Sequence, residues 1–506
     1  MSKLKLDFTD DAQFEEMLRE NLPDTPPNSI ALDVTPWRNA MNRILVGLVL
    51  CSVTFQFLGL HYFLPTVGMF LLLLGFRTLR NENACFKACW IFTMIRVAIG
   101  FYALIINATI YQMHVAESAM NQALSITSAL LLVATCFCFW YGLKLIRQRT
   151  GVPFKTSAAG ALIWWYITML VLGMLRLGNL FVAVVYVLLF VLIVYCIYKQ
   201  SYELDYVGYE LHSAPVKISN GKLVGILLLV LLVGIGGAYA FGGKYPMDWQ
   251  QVDPYEHAQV EEIKAELIQK GFPENILADM TAEDIAACEG ALRIVVEEEM
   301  PDKGETEDSR AFLKITSIGV ELPNDEWKLL HHFQWTKNPG FPGTECFLVF
   351  PAYEAYPSGG EMVADAILLG DYSGRVLYDK DETRMQSSYH TLNEQIYVTN
   401  PMWSMAGEST ECFATFSMPR NGSNCRGYVS YTIRQTDTEA NISSWANYIH
   451  QTTKLVYPAY TAEEYRKQGL YYSLSSYKPF WMVQEQMIFW ENEEGLVTPN
   501  GVIDTK

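Results

Sequence analysis

Cations are scarce in this chain: 37 Lys and Arg stand against 54 Asp and Glu, a formal net charge of −17 over 506 residues. Such a surface repels phosphate backbones, which argues against nucleic acid as a partner and leaves a solvated acidic surface as the plain reading. Histidine is rare as well, with 8 in the chain. His331 and His332 are neighbours in an expected strand, where successive side chains point to opposite faces, so they cannot easily share one metal. No Walker loop, GxGxxG, HExxH or GxSxG occurs, which removes the usual means of cradling phosphates, binding dinucleotides, holding catalytic zinc or raising a nucleophilic serine. Ser475-Ser476-Tyr477-Lys478 has Ser-x-x-Lys spacing but lacks a Ser-Asp-Asn or Lys-Thr-Gly companion. Cys85 and Cys89 share a helix face, where small apolar packing explains them better than metal capture. The reading is therefore of no enzyme, no cofactor and no metal site.

The first half also lacks charge. Ile44 to Phe76 contains no Lys, Arg, Asp or Glu, and as one helix it would run about 50 Å, beyond the ~30 Å of a bilayer core. It is expected to be a hairpin turning near Gly59-Leu60-His61-Tyr62. The same arithmetic gives about seven transmembrane helices, over residues 44–60, 62–76, 88–113, 124–143, 158–175, 179–198 and 223–241, because hydrocarbon leaves no backbone group unpaired outside a helix or barrel. Small residues Gly234, Gly236 and Gly237 in the last span would let a neighbouring helix approach closely, although glycine is also simply common in membrane helices. Residues 1–43 form a polar, Pro-bearing cytoplasmic segment, too long and acidic for the start of a secretory signal and so expected to stay attached. Within it, residues 10–22 could form an amphipathic helix for a protein partner or remain a solubilising tail.

Lys and Arg in the short connections and flanks fall almost wholly on one side: sixteen from Lys3 to Lys222 against Arg176 alone. This places the N-terminus in the cytoplasm and, after seven crossings, the C-terminal domain outside. Two of these cations, Arg96 and Arg176, lie within or between spans and are the functional candidates of the membrane part. Arg96 also stands close enough to Lys87 for its side chain to snorkel to the headgroups.

The second half reads as a soluble α+β domain. Residues 243–290 are helical, a stalk or cap in which Thr281-Ala-Glu-Asp284 resembles a capping box. Residues 291–506 carry short strands separated by turn residues, for which a β-sandwich is the natural packing. Asn421-Gly422 reads as the centre of a type I′ hairpin, in whose register Cys412 and Cys425 do not face each other. Four cysteines, Cys288, Cys346, Cys412 and Cys425, lie in this outer half and allow three pairings. Its many tryptophans suit either a core or a sugar- or peptide-binding platform.

Thr35-Pro-Trp-Arg-Asn-Ala-Met-Asn-Arg-Ile44, Leu71-Leu-Leu-Leu-Gly-Phe-Arg-Thr-Leu-Arg80, His331-His-Phe-Gln-Trp-Thr-Lys-Asn-Pro-Gly-Phe341 and Phe413-Ala-Thr-Phe-Ser-Met-Pro-Arg-Asn-Gly422 resemble uncharacterised polytopic membrane proteins of Gram-positive anaerobic bacteria. The resemblance implies a bacterial plasma membrane and brings no activity or site residue with it. The functional expectation is a non-enzymatic sensor, signalling or interaction protein with the lipid bilayer and a protein as partners; the alternative is a transporter or permease-like component. A cysteine introduced beside Lys506 is expected to react with a membrane-impermeant maleimide on intact cells, above the level of the parent chain. Protection there overturns the crossing count.

Overall fold

The computed structural model describes residues 35–53, 60–151, 156–175, 180–206, 209, 211–212, 216–299, 309–352, 366–398, 408–436, 442–468, 479–492, 495–498 and 501–505. Two compact units result, one of Met1–Ile106 with His114–Ile235 and one of Asn107–Met113 with Gly236–Lys506.

The first unit is helical. Its elements are α1 (Pro36–Ser52), α2 (Leu60–Leu79), α3 (Ala84–Ile106), then the short α4 (Gln112–Glu117), α5 (Ala119–Thr150), α6 (Ser157–Met174), α7 (Leu180–Tyr206) and α8 (Asn220–Gly242), of which residues 112–113 of α4 and 236–242 of α8 fall to the second unit. Among the described residues six helices, α2, α3 and α5 to α8, are long and apolar enough to cross a membrane. The first expected span differs. Thr35 accepts a hydrogen bond from Arg38 N and Pro36 takes the first turn, so α1 begins before the apolar run and includes Arg38, Asn39, Asn42 and Arg43. Its apolar part ends at Ser52, and residues 54–59, which precede most of the expected turn and include Gly59, lie outside the described residues.

Backbone contact holds α1 against α2. A Cβ at Gly47 would lie 2.8 Å from Gly68 O, and one at Gly75 would lie 2.5 Å from Ile44 Cγ1, so only glycine permits this approach. In α8, by contrast, nothing lies within 4 Å of a Cβ at Gly236 or Gly237, while one at Gly234 would meet Ile105 Cδ1 at 2.6 Å. Polar bonds close the end of the bundle: Thr35 Oγ1 donates to Asp205 Oδ1 at 2.6 Å, and the Trp37 indole donates to Ser201 Oγ at 3.1 Å.

The second unit is a sandwich of two seven-stranded antiparallel sheets among the described residues. After the two-residue β1 (Gln250–Gln251) come three short helices, α9 (Glu261–Gln269), α10 (Glu274–Leu277) and α11 (Ala282–Ala286). The strands that follow are β2 (Arg293–Glu299), β3 (Leu313–Leu322), β4 (Glu326–Trp335), β5 (Glu345–Phe350), β6 (Ala366–Lys380), β7 (Thr383–Ser387), β8 (Thr391–Val398), β9 (Glu408–Phe416), β10 (Ser423–Gln435) and β11 (Ile442–Gln451). Helix α12 (Ala462–Gln468) precedes β12 (Phe480–Asn492), β13 (Gly495–Thr498) and β14 (Gly501–Thr505). One sheet runs β1-β7-β6-β10-β4-β3-β2, the other β14-β13-β12-β11-β5-β9-β8.

The two-residue period of β4 explains the layering. Trp327, Leu329, Phe333 and Trp335 enter the core between the sheets, whereas Leu330 packs with Leu277 and Ile285 under the helical layer. The first sheet is therefore covered on both faces. The tryptophans Trp327, Trp335 and Trp481 belong to this core rather than to an exposed platform.

Asn421-Gly422 does not close a hairpin. Strand β9 pairs with β5 and β8, while β10 pairs with β4 and β6 in the opposite sheet. The connection is a turn in which Gly422 N meets Pro419 O at 3.5 Å, and it carries the chain between sheets. The two-residue hairpin with positive φ at both positions is Asp381-Glu382, between β6 and β7. Burying Phe413 and Phe416 in the second sheet outweighs the turn preference of Asn-Gly. Cys412 and Cys425 consequently lie in different sheets, and all ten cysteines are free.

His331 crosses the sandwich interior, fully buried. Its Nε2 lies 2.7 Å from Ser444 Oγ and its Nδ1 2.6 Å from Ser317 Oγ. Ser444 gives its own proton to Phe350 O at 3.0 Å and accepts from Tyr431 OH at 2.7 Å, so Nε2 must donate and Nδ1 accepts from Ser317. This neutral tautomer is satisfied at both nitrogens, and burial pushes the imidazole down from 6.5 to about 3. Between those two values the unfolded chain binds a proton that the folded one does not, so stability falls as pH falls. Denaturant unfolding of the full chain in detergent is expected to lose ~1.4 kcal/mol per pH unit from this group between about pH 5.5 and 4. His331→Gln should flatten that slope, and an unchanged slope removes His331 as its source.

Candidate functional site

The densest polar constellation lies where the helical layer meets the first sheet of the β unit. Two carboxylates from the short helical segment, Asp279 and Asp284, are 3% and 4% exposed. A carboxylate so buried must find donors, because the interior does not solvate charge. Asp279 Oδ1 accepts from Arg426 Nε at 2.8 Å, and Oδ2 from His332 Nε2 at 3.1 Å. Asp284 Oδ1 accepts from Lys328 Nζ at 2.7 Å and Ser373 Oγ at 2.5 Å, and its Oδ2 accepts from Tyr428 OH at 2.6 Å. Burial by itself would raise both carboxyls. The hydrogen bond and charge of His332, with those of Arg426, hold Asp279 below the ordinary carboxylate range, and the Lys328 ammonium with Ser373 and Tyr428 does so for Asp284.

The capping motif at Thr281 takes part in this arrangement. Thr281 Oγ1 accepts from Asp284 N at 3.2 Å, as the sequence implies, but Thr281 N donates to Tyr428 OH at 2.9 Å rather than to the Asp284 carboxylate. The carboxylate takes the Thr281 hydroxyl on Oδ2 at 3.0 Å and keeps Oδ1 for Lys328 from the sheet. Arg375 adds a second clasp, donating from Nε to Asp279 O and from Nη2 to Met280 O, both at 2.8 Å, and from Nη1 to Glu256 at 2.8 and 3.0 Å.

Beside Arg375 the surface opens into a polar cavity of about 390 Å³, lined by Asp248, Gln250, Thr281, Gln386, Ser387, Ser388, Tyr389 and His390 among others. Gly374, which also lines it, has φ +154, and a Cβ there would overlap Tyr428 O, so no larger residue fits. Tyr389 is fixed by its hydroxyl on Tyr428 O at 2.9 Å, and His390 stacks on Tyr245 with centroids 4.5 Å apart. Its lining offers both hydrogen-bond donors and acceptors. Its size and lining suit a small polar molecule.

The structure separates the candidates read from sequence. Arg96 stands mid-way along α3; its Nε is buried with no hydrogen-bond partner, and its charge acts on Cys51, Cys136 and Tyr166 of three other helices. Arg176 lies outside the described residues, as do Ser475 to Lys478 and the segment 10–22. His331 and His332 point to opposite faces, one to the sandwich core and one to Asp279. Among the described residues no group of three or more His, Cys, Asp or Glu could hold a metal ion. Asp279, Lys328, Arg375 and Arg426 escape the sequence reading, and Asp284 enters it only through the capping box. Their signal is a charge inside an otherwise apolar strand, as at Lys328 within Trp-Lys-Leu-Leu. No protein-family model matches the chain, and no curated protein matches it either.

Asp284→Asn leaves Lys328 buried without a counter-charge, which is expected to destabilise the full chain by about 3 kcal/mol in thermal or denaturant unfolding. Adding Lys328→Met should recover most of that loss, since an apolar side chain needs no partner there. Equal stability of the Asp284→Asn single variant and the parent chain overturns the assignment of this pair.

Proposed function

We infer that this is a membrane-embedded sensor or interaction protein, in which the β unit receives a small polar ligand and the helices carry the consequence. The observation that carries this reading is the segment Asn107–Met113. In sequence it joins two membrane helices, α3 and the helix that begins at Ala119, yet it belongs to the β unit. Ala459 N donates to Asn107 O at 2.7 Å, Gln112 Nε2 donates to Ala459 O, and Ile110 N donates to Gly242 O at 2.9 Å. A rearrangement in the β unit therefore acts on a segment continuous with α3 and α5. The polar cavity beside Arg375 supplies a place for the ligand, and its hydrogen-bonding walls, with Asp248 among them, suit a small polar molecule such as a saccharide or short peptide.

A transporter is the second reading, and Arg96 favours it: a cation among helices with a buried, unbonded nitrogen is a recognised mark of a substrate path. The resemblance to membrane proteins of Gram-positive anaerobic bacteria supports a bacterial plasma membrane, with the basic connections in the cytoplasm.

The test uses the full chain in lipid nanodiscs, with glucose, N-acetylglucosamine and alanyl-alanine as probes. At least one probe is expected to raise the melting temperature, to lose that effect in Ser388→Trp, which fills the cavity mouth, and to slow amide exchange in residues 107–113 about twofold or more. Absence of any shift, a shift that survives Ser388→Trp, or binding that leaves exchange in 107–113 unaltered overturns the sensor reading.

A further inference from the structure

We propose that the helical unit holds one anionic phospholipid in a cleft between α2, α3 and α8. A cavity of about 550 Å³ lies among these helices. At one end stand three cations, Arg77, Arg80 and Lys217, and no carboxylate lines the cavity among the described residues. Arg77 is fixed at 7% exposure by hydrogen bonds from Nη1 to Asn220 Oδ1 at 2.9 Å and from Nη2 to Ile218 O. Those bonds hold the turn that carries Lys217 beside it. Arg80, about one helical turn further along the chain at the end of α2, rests its guanidinium over Trp90 at 5.2 Å. The positive charge is thus gathered where α2 ends and α8 begins.

From that end the walls become apolar. Between Trp90 and Phe101 the α3 wall advances roughly 16 Å at ~1.5 Å per residue, and Leu227 and Val230 of α8 line the opposite side. A cationic mouth over an apolar slot of that length matches an anionic headgroup with an acyl chain beneath it. Free phosphate would use the mouth alone and leave the slot in contact with water or lipid. Basic pockets between transmembrane helices recognise anionic lipid in this manner. The site is separate from the polar cavity of the β unit and does not depend on the sensor reading.

The experiment is native mass spectrometry of the delipidated full chain in mild detergent, titrated with dioleoylphosphatidylglycerol or dioleoylphosphatidylcholine. The parent chain is expected to retain one phosphatidylglycerol at least about thirtyfold more tightly than phosphatidylcholine, the factor expected of two or three cations near a headgroup. Arg80→Gln with Lys217→Gln should abolish that preference, and Ala98→Trp, which fills the slot and leaves every cation in place, should abolish tight retention. Equal retention of the two lipids by the parent chain, or a preference that survives Ala98→Trp, overturns the proposal. Because Ala98 is exposed, that variant decides the matter even if the charge variants fail to fold.

Discussion

A carboxylate removed from water must be answered by donors of fixed geometry, and in the β unit this requirement organises a whole layer. The helical segment offers two such groups, Asp279 and Asp284, and the sheet beneath it answers with Lys328, His332 and Arg426. These three come from β4 and β10, paired strands of one register. Hydrophobic contact alone would let short helices slide on a flat sheet, because apolar burial is not directional. The ion pairs fix position. With the layer seated, Arg375 reaches the carbonyls of Asp279 and Met280, and its aliphatic and planar body becomes a wall of the polar cavity. The cavity is thus a by-product of how the layer is docked, and its shape is as rigid as those bonds.

The membrane unit uses charge differently. The cations of its connections lie at helix ends, where they satisfy carbonyls of the neighbouring connections. Arg149 donates to Glu82 O at 2.7 Å, and Arg77 takes Ile218 O and Asn220. Glu82 in turn accepts from Tyr209 OH at 2.6 Å and from His212 N at 2.5 Å, fastening the chain beyond α7. The residues that bias topology by their charge therefore also join successive hairpins. Between α1 and α2, contact rests on glycine rather than on polarity.

Much of the architecture is legible in the sequence because a bilayer permits so few solutions. Apolar runs of double length have to be hairpins, and a switch to alternating short strands has to be a layered β domain. The start of the first helix is not legible in hydropathy, since Thr35 and Pro36 set that boundary by capping. The Asn421-Gly422 turn misleads because local turn chemistry says nothing about which sheet each flanking strand joins. Strand β11 is hidden too: its Ser444, Asn447, His450 and Gln451 look like a polar surface, yet all are buried, and His450 pairs with Glu345 at 2.9 Å. The carboxylate network stays out of sight for the same reason. A lone Asp in a helix and a lone Lys in a strand carry no mark of their partner when 44 residues separate them.

The bonds between Asn107 to Met113 and Ala459 have a consequence for how the chain is made. Gln112 and Ala459 are 347 residues apart, so a ribosome has finished all of the membrane helices and most of the sandwich before this segment meets its partner. Until then the link between α3 and α5 has an open carbonyl at Asn107 and an unanswered amide at Gln112. Assembly of the β unit is the last event that can complete it, and the stretch between β11 and α12 thereby sets the moment at which two helices inserted near the start of synthesis acquire their finished connection.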